Sequence, residues 1–287
     1  MQKSTILIIG GSGYLGQYLL PQAIKKFAVT STYHHTHFTA DMVNSRQLDV
    51  TDRPAVFALV TSLCPTVIIH TAAVNPGGPN EMMMPVNRDG TRHIAEAAKQ
   101  VGARLVHVSS DTVHNGREAP YADADIPDPL NLYGQSKVAG EQVIQAVYPS
   151  AVIVRTSLIY GLTEMDRGTA GFIKRLEAGE NLMLFSDVLR QPVWAETLSE
   201  ALLKLAQNDV AGILNIAGRQ VLTRSEFGTR MLRWWNMSHH ENNINTGLAT
   251  SVSNKIPLDL RLSIEQAEQL LQMEFVGVDT VLNNPKI

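Results

Sequence analysis

What the chain lacks narrows its chemistry before any motif is read. Its 287 residues hold one cysteine, Cys64, so no disulfide framework can form within a single chain. That scarcity fits a reducing compartment. No block of lysine or arginine stands out and the net charge is −3. Nucleic acid is therefore set aside as a partner, because a phosphate backbone is held by clustered positive charge. No apolar run nears the roughly 20 residues of a bilayer-spanning helix, so no membrane role is expected. The apolar run after Met1-Gln2-Lys3-Ser4 meets glycine too early for a signal peptide. There is no repeat and no low-complexity linker. These absences predict a cytoplasmic protein.

What is present suffices for a core: 44% of residues are hydrophobic and 18% charged. The first half alternates short apolar runs with helical stretches. Strands are expected at Thr5–Ile9, Ala28–Thr32, Val67–His70, Arg104–Ser109 and Val152–Thr156, and helices near Tyr14–Lys26, Pro54–Leu63, Val86–Val101 and Leu132–Val147. That alternation predicts parallel βαβ units, and continuous apolar strands predict a sheet covered on both faces. Asp52 before Arg53-Pro54 reads as an N-cap, and Gly102 as a left-handed helix stop. Pro21 inside the first helix should kink or shorten it. After residue 161 the texture changes. The expectation is a dinucleotide-binding domain over 1–160, with 188–218 returning to it, and a substrate domain from 161–187 and 219–287.

Three constellations carry chemistry. The first is Gly10-x-x-Gly13-x-x-Gly16 between a strand and a helix. There the first glycine makes a turn, the second admits a pyrophosphate and the third lets helix and sheet pack closely. No carboxylate follows the second strand to hold a ribose hydroxyl. Thr30, Ser31, Thr32, His34 and His35 could receive a 2′-phosphate instead, so NADP(H) is preferred and NAD(H) allowed. His34, His35 and His37 read as a solvated loop, and no metal is expected. The second constellation is Tyr133-x-x-x-Lys137, one helical turn apart. An ammonium near a phenol lowers its pKa from about 10, giving a proton-transfer device. The third is Ser110, a hydroxyl at a strand's carboxyl end, where ligands of open α/β sheets bind.

With these residues on the page, the chain resembles the extended short-chain dehydrogenase/reductases, and within them the dTDP-4-dehydrorhamnose reductase-like branch. Besides the glycines, the likeness rests on LDVTD at 48–52, HTAAV at 70–74, VSSD at 108–111 and YGQSK at 133–137. RTSLIYG at 155–161, QPVWAETLSEAL at 191–202 and PLDLRLS at 257–263 echo the branch. The resemblance implies an α/β fold: a Rossmann-type doubly wound parallel sheet with a smaller, interleaved C-terminal substrate domain. It implies an NAD(P)H-dependent reductase of a nucleotide-linked 4-keto sugar, with a homodimer allowed. Ser110, Tyr133 and Lys137 would be catalytic. Gly10, Gly13, Tyr14, Leu15, Gly16, Thr32, His34, Asp49, Val50, Ala72, Ala73, Ser109, Thr156 and Leu158, with Tyr133 and Lys137, would line the cofactor. Asn87, Asp111, His114, Gln191 and Trp194 would face the substrate. The segment 75–85 reads as a loop over the site. Thr112, His114 and Ile256 depart from the branch pattern and put its sugar in question. Two alternatives stay open: a sugar-nucleotide epimerase or dehydratase, and a non-catalytic NADP-binding subunit resembling the methionine adenosyltransferase beta subunit.

Overall fold

The computed structural model describes residues 4–37 and 41–284. Met1-Gln2-Lys3 and the last three residues of the expected substrate domain lie outside them. The first half folds as strand-helix repeats: β1 (Thr5–Ile9), α1 (Tyr14–Lys26), β2 (Ala28–Tyr33), β3 (Val43–Gln47), α2 (Arg53–Leu63), β4 (Val67–His70), α3 (Thr91–Val101), β5 (Arg104–Val108), α4 (Leu132–Val147) and β6 (Val152–Thr156). Caps behave as their residue types require. Asp52 accepts from Ala55 N at 3.0 Å, and Gly102 stops α3 in the left-handed region at φ 67°.

Three features differ from the sequence expectation. Pro21 sits inside α1 without shortening it. Before α3, Pro85–Gly90 forms a π-helical turn where a plain helix from Val86 is expected. Such insertions re-aim side chains, and this one carries Asn87. β3 is unexpected altogether. It is an edge strand of mostly exposed polar residues, so neither period 2 nor an apolar run betrays it.

The second half is built of short pieces: β7 (Ile159–Tyr160), α5 (Arg167–Glu177), β8 (Leu182–Phe185), β9 (Leu189–Arg190), β10 (Val193–Trp194), α6 (Ala195–Leu205), β11 (Gly212–Ile216), β12 (Leu222–Thr223), α7 (Arg224–Trp234), β13 (Ile244–Gly247), α8 (Glu265–Leu271) and α9 (Val278–Asn283). β11 runs parallel to β6 and completes a seven-stranded sheet of order β11-β6-β5-β4-β1-β2-β3. All its pairings are parallel. α1 and α6 cover one face through Leu19, Leu20, Leu198 and Leu202. α2, α3 and α4 cover the other through Val56, Val60, Ile94 and Ile144. With both faces buried, every β4 residue is inaccessible. The order reverses between β1 and β4, and the crevice beyond the strands' carboxyl ends opens there.

Candidate active site

Bare backbone meets the end of β1. Gly10 has φ 91°, and a Cβ there would lie 2.7 Å from Ala72 N. At Gly16 it would lie 2.0 Å from Gly11 O. Both positions exclude any side chain. Gly13 is the N-cap of α1, and no side chain caps that end. Thr32 Oγ1 accepts from Gly10 N at 3.1 Å and so braces the turn. Tyr14 donates its hydroxyl to Glu164 O at 2.9 Å, and Leu15 is buried in the core. An uncapped helix N-terminus behind a side-chain-free turn, at the sheet's crossover, fits the pyrophosphate of a dinucleotide.

The next strand ends carry the adenosine-side candidates. Ser31 turns inward and donates to Ile8 O at 3.2 Å, so it is no ligand for a phosphate. His34 stacks on His35, ring centroids 3.7 Å apart, and its Nε2 lies 3.5 Å from Asp49 Oδ2. Burial pushes the Asp49 carboxyl up, but hydrogen bonds from Thr51 and the two imidazoles leave it below its usual value. Val50 packs against Gly90, and its carbonyl is held by His93 Nδ1 at 3.0 Å. Among the described residues no cluster of histidine, cysteine and carboxylates is placed to hold a metal.

The reacting side forms where α4 begins. Asn131 caps α4 through Gly134 N at 2.9 Å. A Cβ on Gly134 would lie 2.3 Å from Thr112 O. That close approach lets the first turn of α4 rest on the end of β5 and brings Tyr133 to Ser110. Ser110 donates to Asp111 Oδ1 at 3.2 Å and accepts from Thr112 Oγ1 at 2.9 Å. Burial pushes the Tyr133 phenol up to about 12, while Ser110 and Arg190 pull the other way. The Tyr/Lys spacing predicts the opposite direction. Burial is the reason; the Lys137 amine, meanwhile, turns to the sheet and donates to Val108 O at 2.7 Å. Burial brings that amine down to about 8, opposed by Glu141.

Several candidates are engaged elsewhere. Ser109 donates to Glu141 Oε1 at 2.5 Å. Glu141 in turn holds Arg155, which donates to it at 2.9, 3.2 and 3.3 Å. His114 stacks on Tyr121 at 3.9 Å and sits 3.4 Å from Arg155 Nη1, so it belongs to this buried network. Burial lowers its pKa to about 4. Asn87 grips the backbone of Val74 at 2.8 and 3.0 Å and donates to Ser136 Oγ at 2.9 Å. Gln191 accepts from Leu262 N at 2.6 Å. Trp194 and Leu158 pack with Tyr160 and Phe227. Thr156 Oγ1 is buried without a partner, as is Ser157 Oγ, one residue on. Ala73 follows Ala72 at the mouth of the turn.

Sequence reading passed over four residues that the fold gathers. Asn75 lies 3.5 Å from the Tyr133 hydroxyl. Arg190 Nε lies 3.2 Å from Asp111 Oδ2. Arg224 sits near Arg190; burial, then that like charge, lowers its pKa to about 10. Glu141 ties α4 to β5 and β6. Glu141 lies one turn beyond Lys137 and was legible as a spacing; the arginines lie in segments with no motif.

The chain is similar to known proteins along most of its length. The family model described as RmlD substrate binding domain matches residues 4–277. A dTDP-4-dehydrorhamnose reductase of Mycobacterium tuberculosis (strain ATCC 25618 / H37Rv) is 34% identical over 237 residues, covering 78% of this chain and 73% of that one. A dTDP-4-keto-6-deoxy-D-glucose reductase of Streptomyces niveus is 32% identical, covering 73% and 71%. The crystal structure of a Bacillus anthracis dTDP-4-dehydrorhamnose reductase in complex with NADP superposes with a TM-score of 0.81 over 98% of both chains, at 23% identity. At that identity the superposition shows the shared fold.

Proposed function

The chain belongs to the RmlD substrate binding domain family, and from that premise we propose that it reduces a nucleotide-linked 4-keto sugar with NADP(H), NAD(H) serving less well. The observation that carries the reading is the meeting of Ser110 and Tyr133 at the same sheet edge as the bare glycine turn. The names of the two relatives support a dTDP-linked 4-keto sugar as substrate. When bound, the nicotinamide supplies the hydride. Gly10, Gly13 and Gly16 admit its pyrophosphate, and the α1 N-terminus faces that charge. Ser110 turns its hydroxyl from Asp111 to the sugar carbonyl and orients it. Tyr133 gives its proton to the same oxygen as negative charge develops there. A phenol pushed up to about 12 is protonated at neutral pH, which is the state a donor needs. Lys137 holds the end of β5 and stands beside the cofactor path.

The domain division follows the same logic. Residues 1–160 with 188–218 make the dinucleotide lobe; the pairing of β11 with β6 and the packing of α6 on α1 support it. Residues 161–187 and 219–287 make the substrate lobe, supported by the β8–β13 pair and the cluster around Ile173, Leu176 and Leu232. Among the described residues no helix is long and apolar enough to cross a membrane.

The test is NADPH oxidation with dTDP-4-dehydrorhamnose, beside an NADPH-binding titration. Tyr133→Phe should lower turnover roughly a hundredfold to ten-thousandfold and leave NADPH affinity nearly unchanged. Tight NADPH binding with no turnover of any keto sugar by the wild type would overturn the reading in favour of a binding subunit.

A further inference from the structure

The end of β5 beside the proton donor is met by a cation that no motif marks. Arg190 ends β9, which pairs antiparallel with β12 and is tied to the 258–262 segment by Leu189 N to Leu258 O at 2.6 Å. From there its guanidinium reaches back to the end of β5, 3.2 Å from Asp111. Asp111 is fully buried and accepts from Ser110, so Arg190, Asp111 and Ser110 form a chain at the end of β5. Asp111 Oδ2 and Arg190 Nε are buried, yet neither makes an aligned hydrogen bond. The contact is a charge contact, held without the geometric lock that a structural pair would have. Lys137, the expected cation, has its amine on Val108 O instead.

We propose that Arg190 is a positioning residue for the proposed reduction: it fixes Ser110 through Asp111 and presents the cation that faces the Tyr133 hydroxyl. The proposal rests on the reductase reading for its kinetic consequence, but its electrostatic content stands apart from turnover. Asn75, in the segment after β4, lies 3.5 Å from the Tyr133 hydroxyl, and Ser110, Asp111 and Arg190, in that order, bear on the charge of the phenol. Lys137 lies on the same helix. Behind Arg190 stands Arg224 at the start of α7, with Asp166 before α5 offsetting its charge. Removing Arg190 leaves the Asp111 carboxylate unopposed beside the phenol. Both changes disfavour the phenolate, so the donor becomes a weaker acid. Arginine suits this place because its charge persists when buried.

The test uses the whole protein labelled with 3-fluorotyrosine, whose fluorine makes the phenol more acidic and gives each tyrosine a resonance. The Tyr133 signal is identified by its loss in Tyr133→Phe. Arg190→Gln should move its titration up by about one pH unit, a tenfold change in acidity, and Arg190→Lys should restore it. In the reductase assay Arg190→Gln should lower kcat roughly tenfold with KM for NADPH unchanged, and raise the solvent deuterium isotope effect. A Tyr133 titration unmoved in Arg190→Gln, with only the sugar-nucleotide KM raised, would overturn the proposal and leave Arg190 as an anion contact. If Arg190→Gln does not fold, Asp111→Asn is compared with Asp111→Asn/Arg190→Gln. The second must titrate higher than the first, and equal titrations overturn the proposal. Absence of turnover in the wild type counts against the reductase reading alone, since the fluorine titration decides this one.

Discussion

Among the described residues two arginine–carboxylate pairs are buried, and they are built differently. Arg155 and Glu141 have side chains 0% and 2% exposed, and their contact has three hydrogen bonds. Every remaining direction is filled: Ser109 donates to Glu141, and Arg155 donates to the carbonyls of Asp125 and Asp123 at 3.2 and 3.4 Å. Asp123 in turn accepts from Asn215 N at 2.6 Å. Arg190 and Asp111 make one contact at 3.2 Å, and Arg190 is 12% exposed. The first pair joins β5, β6, α4 and the 121–125 segment into one block. The second lies at the end of β5, with Arg190 Nε and Asp111 Oδ2 outside any aligned hydrogen bond. A pair whose hydrogen bonds are all made specifies a shape. A pair with free edges, next to a hydroxyl and a phenol, is placed to act on something that enters.

The sharpest way to break this comparison is Arg155→Met. It strands a buried carboxylate in the sealed pair and should lower unfolding free energy by about 3–5 kcal/mol, read by urea denaturation. Arg190→Met should lower it by less, because that pair makes one unaligned contact in place of three hydrogen bonds, and burial already pushes the Asp111 carboxyl toward its neutral form. Equal losses would erase the distinction between scaffold and site.

Acid tests the block from beneath. His70 and His107 lie side by side under Lys137, ring centroids 4.8 Å apart. Burial first, then the Lys137 charge, lowers His70 to about 3 and His107 well below 6.5. Both stay neutral in the fold and protonate in the unfolded chain, so the unfolded state binds more protons. Stability is whole above pH 6.5 and should fall as pH drops from there toward 3, by about 1.4 kcal/mol per pH unit for each histidine. His70→Asn should flatten the slope of midpoint against pH. An unchanged slope would show that these imidazoles already carry protons in the fold.

The smallest expected effect lies at the adenosine end. His34 is exposed, and its pairing with Asp49 at 3.5 Å is loose. His34→Ala should weaken NADPH by a few-fold, in the range of roughly 0.2–1 kcal/mol for an exposed charge contact, and leave NADH unmoved. Equal weakening of both nucleotides would mean that His34 meets the adenine ribose without reading a phosphate.

Motifs were legible where chemistry is local. The glycine turn needs backbone conformation and close approach, and both are properties of a few consecutive residues. Ser110 at a strand end and Tyr133 one turn from Lys137 were visible for the same reason. β3 was not legible, because an exposed polar edge carries no periodic signal. The outward role expected of His114 and Trp194 met a different fate. Each is a large side chain in a segment that the second lobe covers, and each is packed there.

The sequence by itself determined the inner strands of the sheet, the helices between them and the crevice, since apolar runs buried on both faces and glycine-marked turns act over short distances along the chain. Only the tertiary structure decided the charges inside the crevice. Spacing can place Lys137 on the same helical face as Tyr133, but the Val108 carbonyl holds its amine. The guanidinium beside Asp111 belongs to Arg190, a residue without a motif, placed there by the pairing of β9 with β12. Coulomb interactions depend on separation in space and on burial, and neither is written in the spacing of residues along a chain.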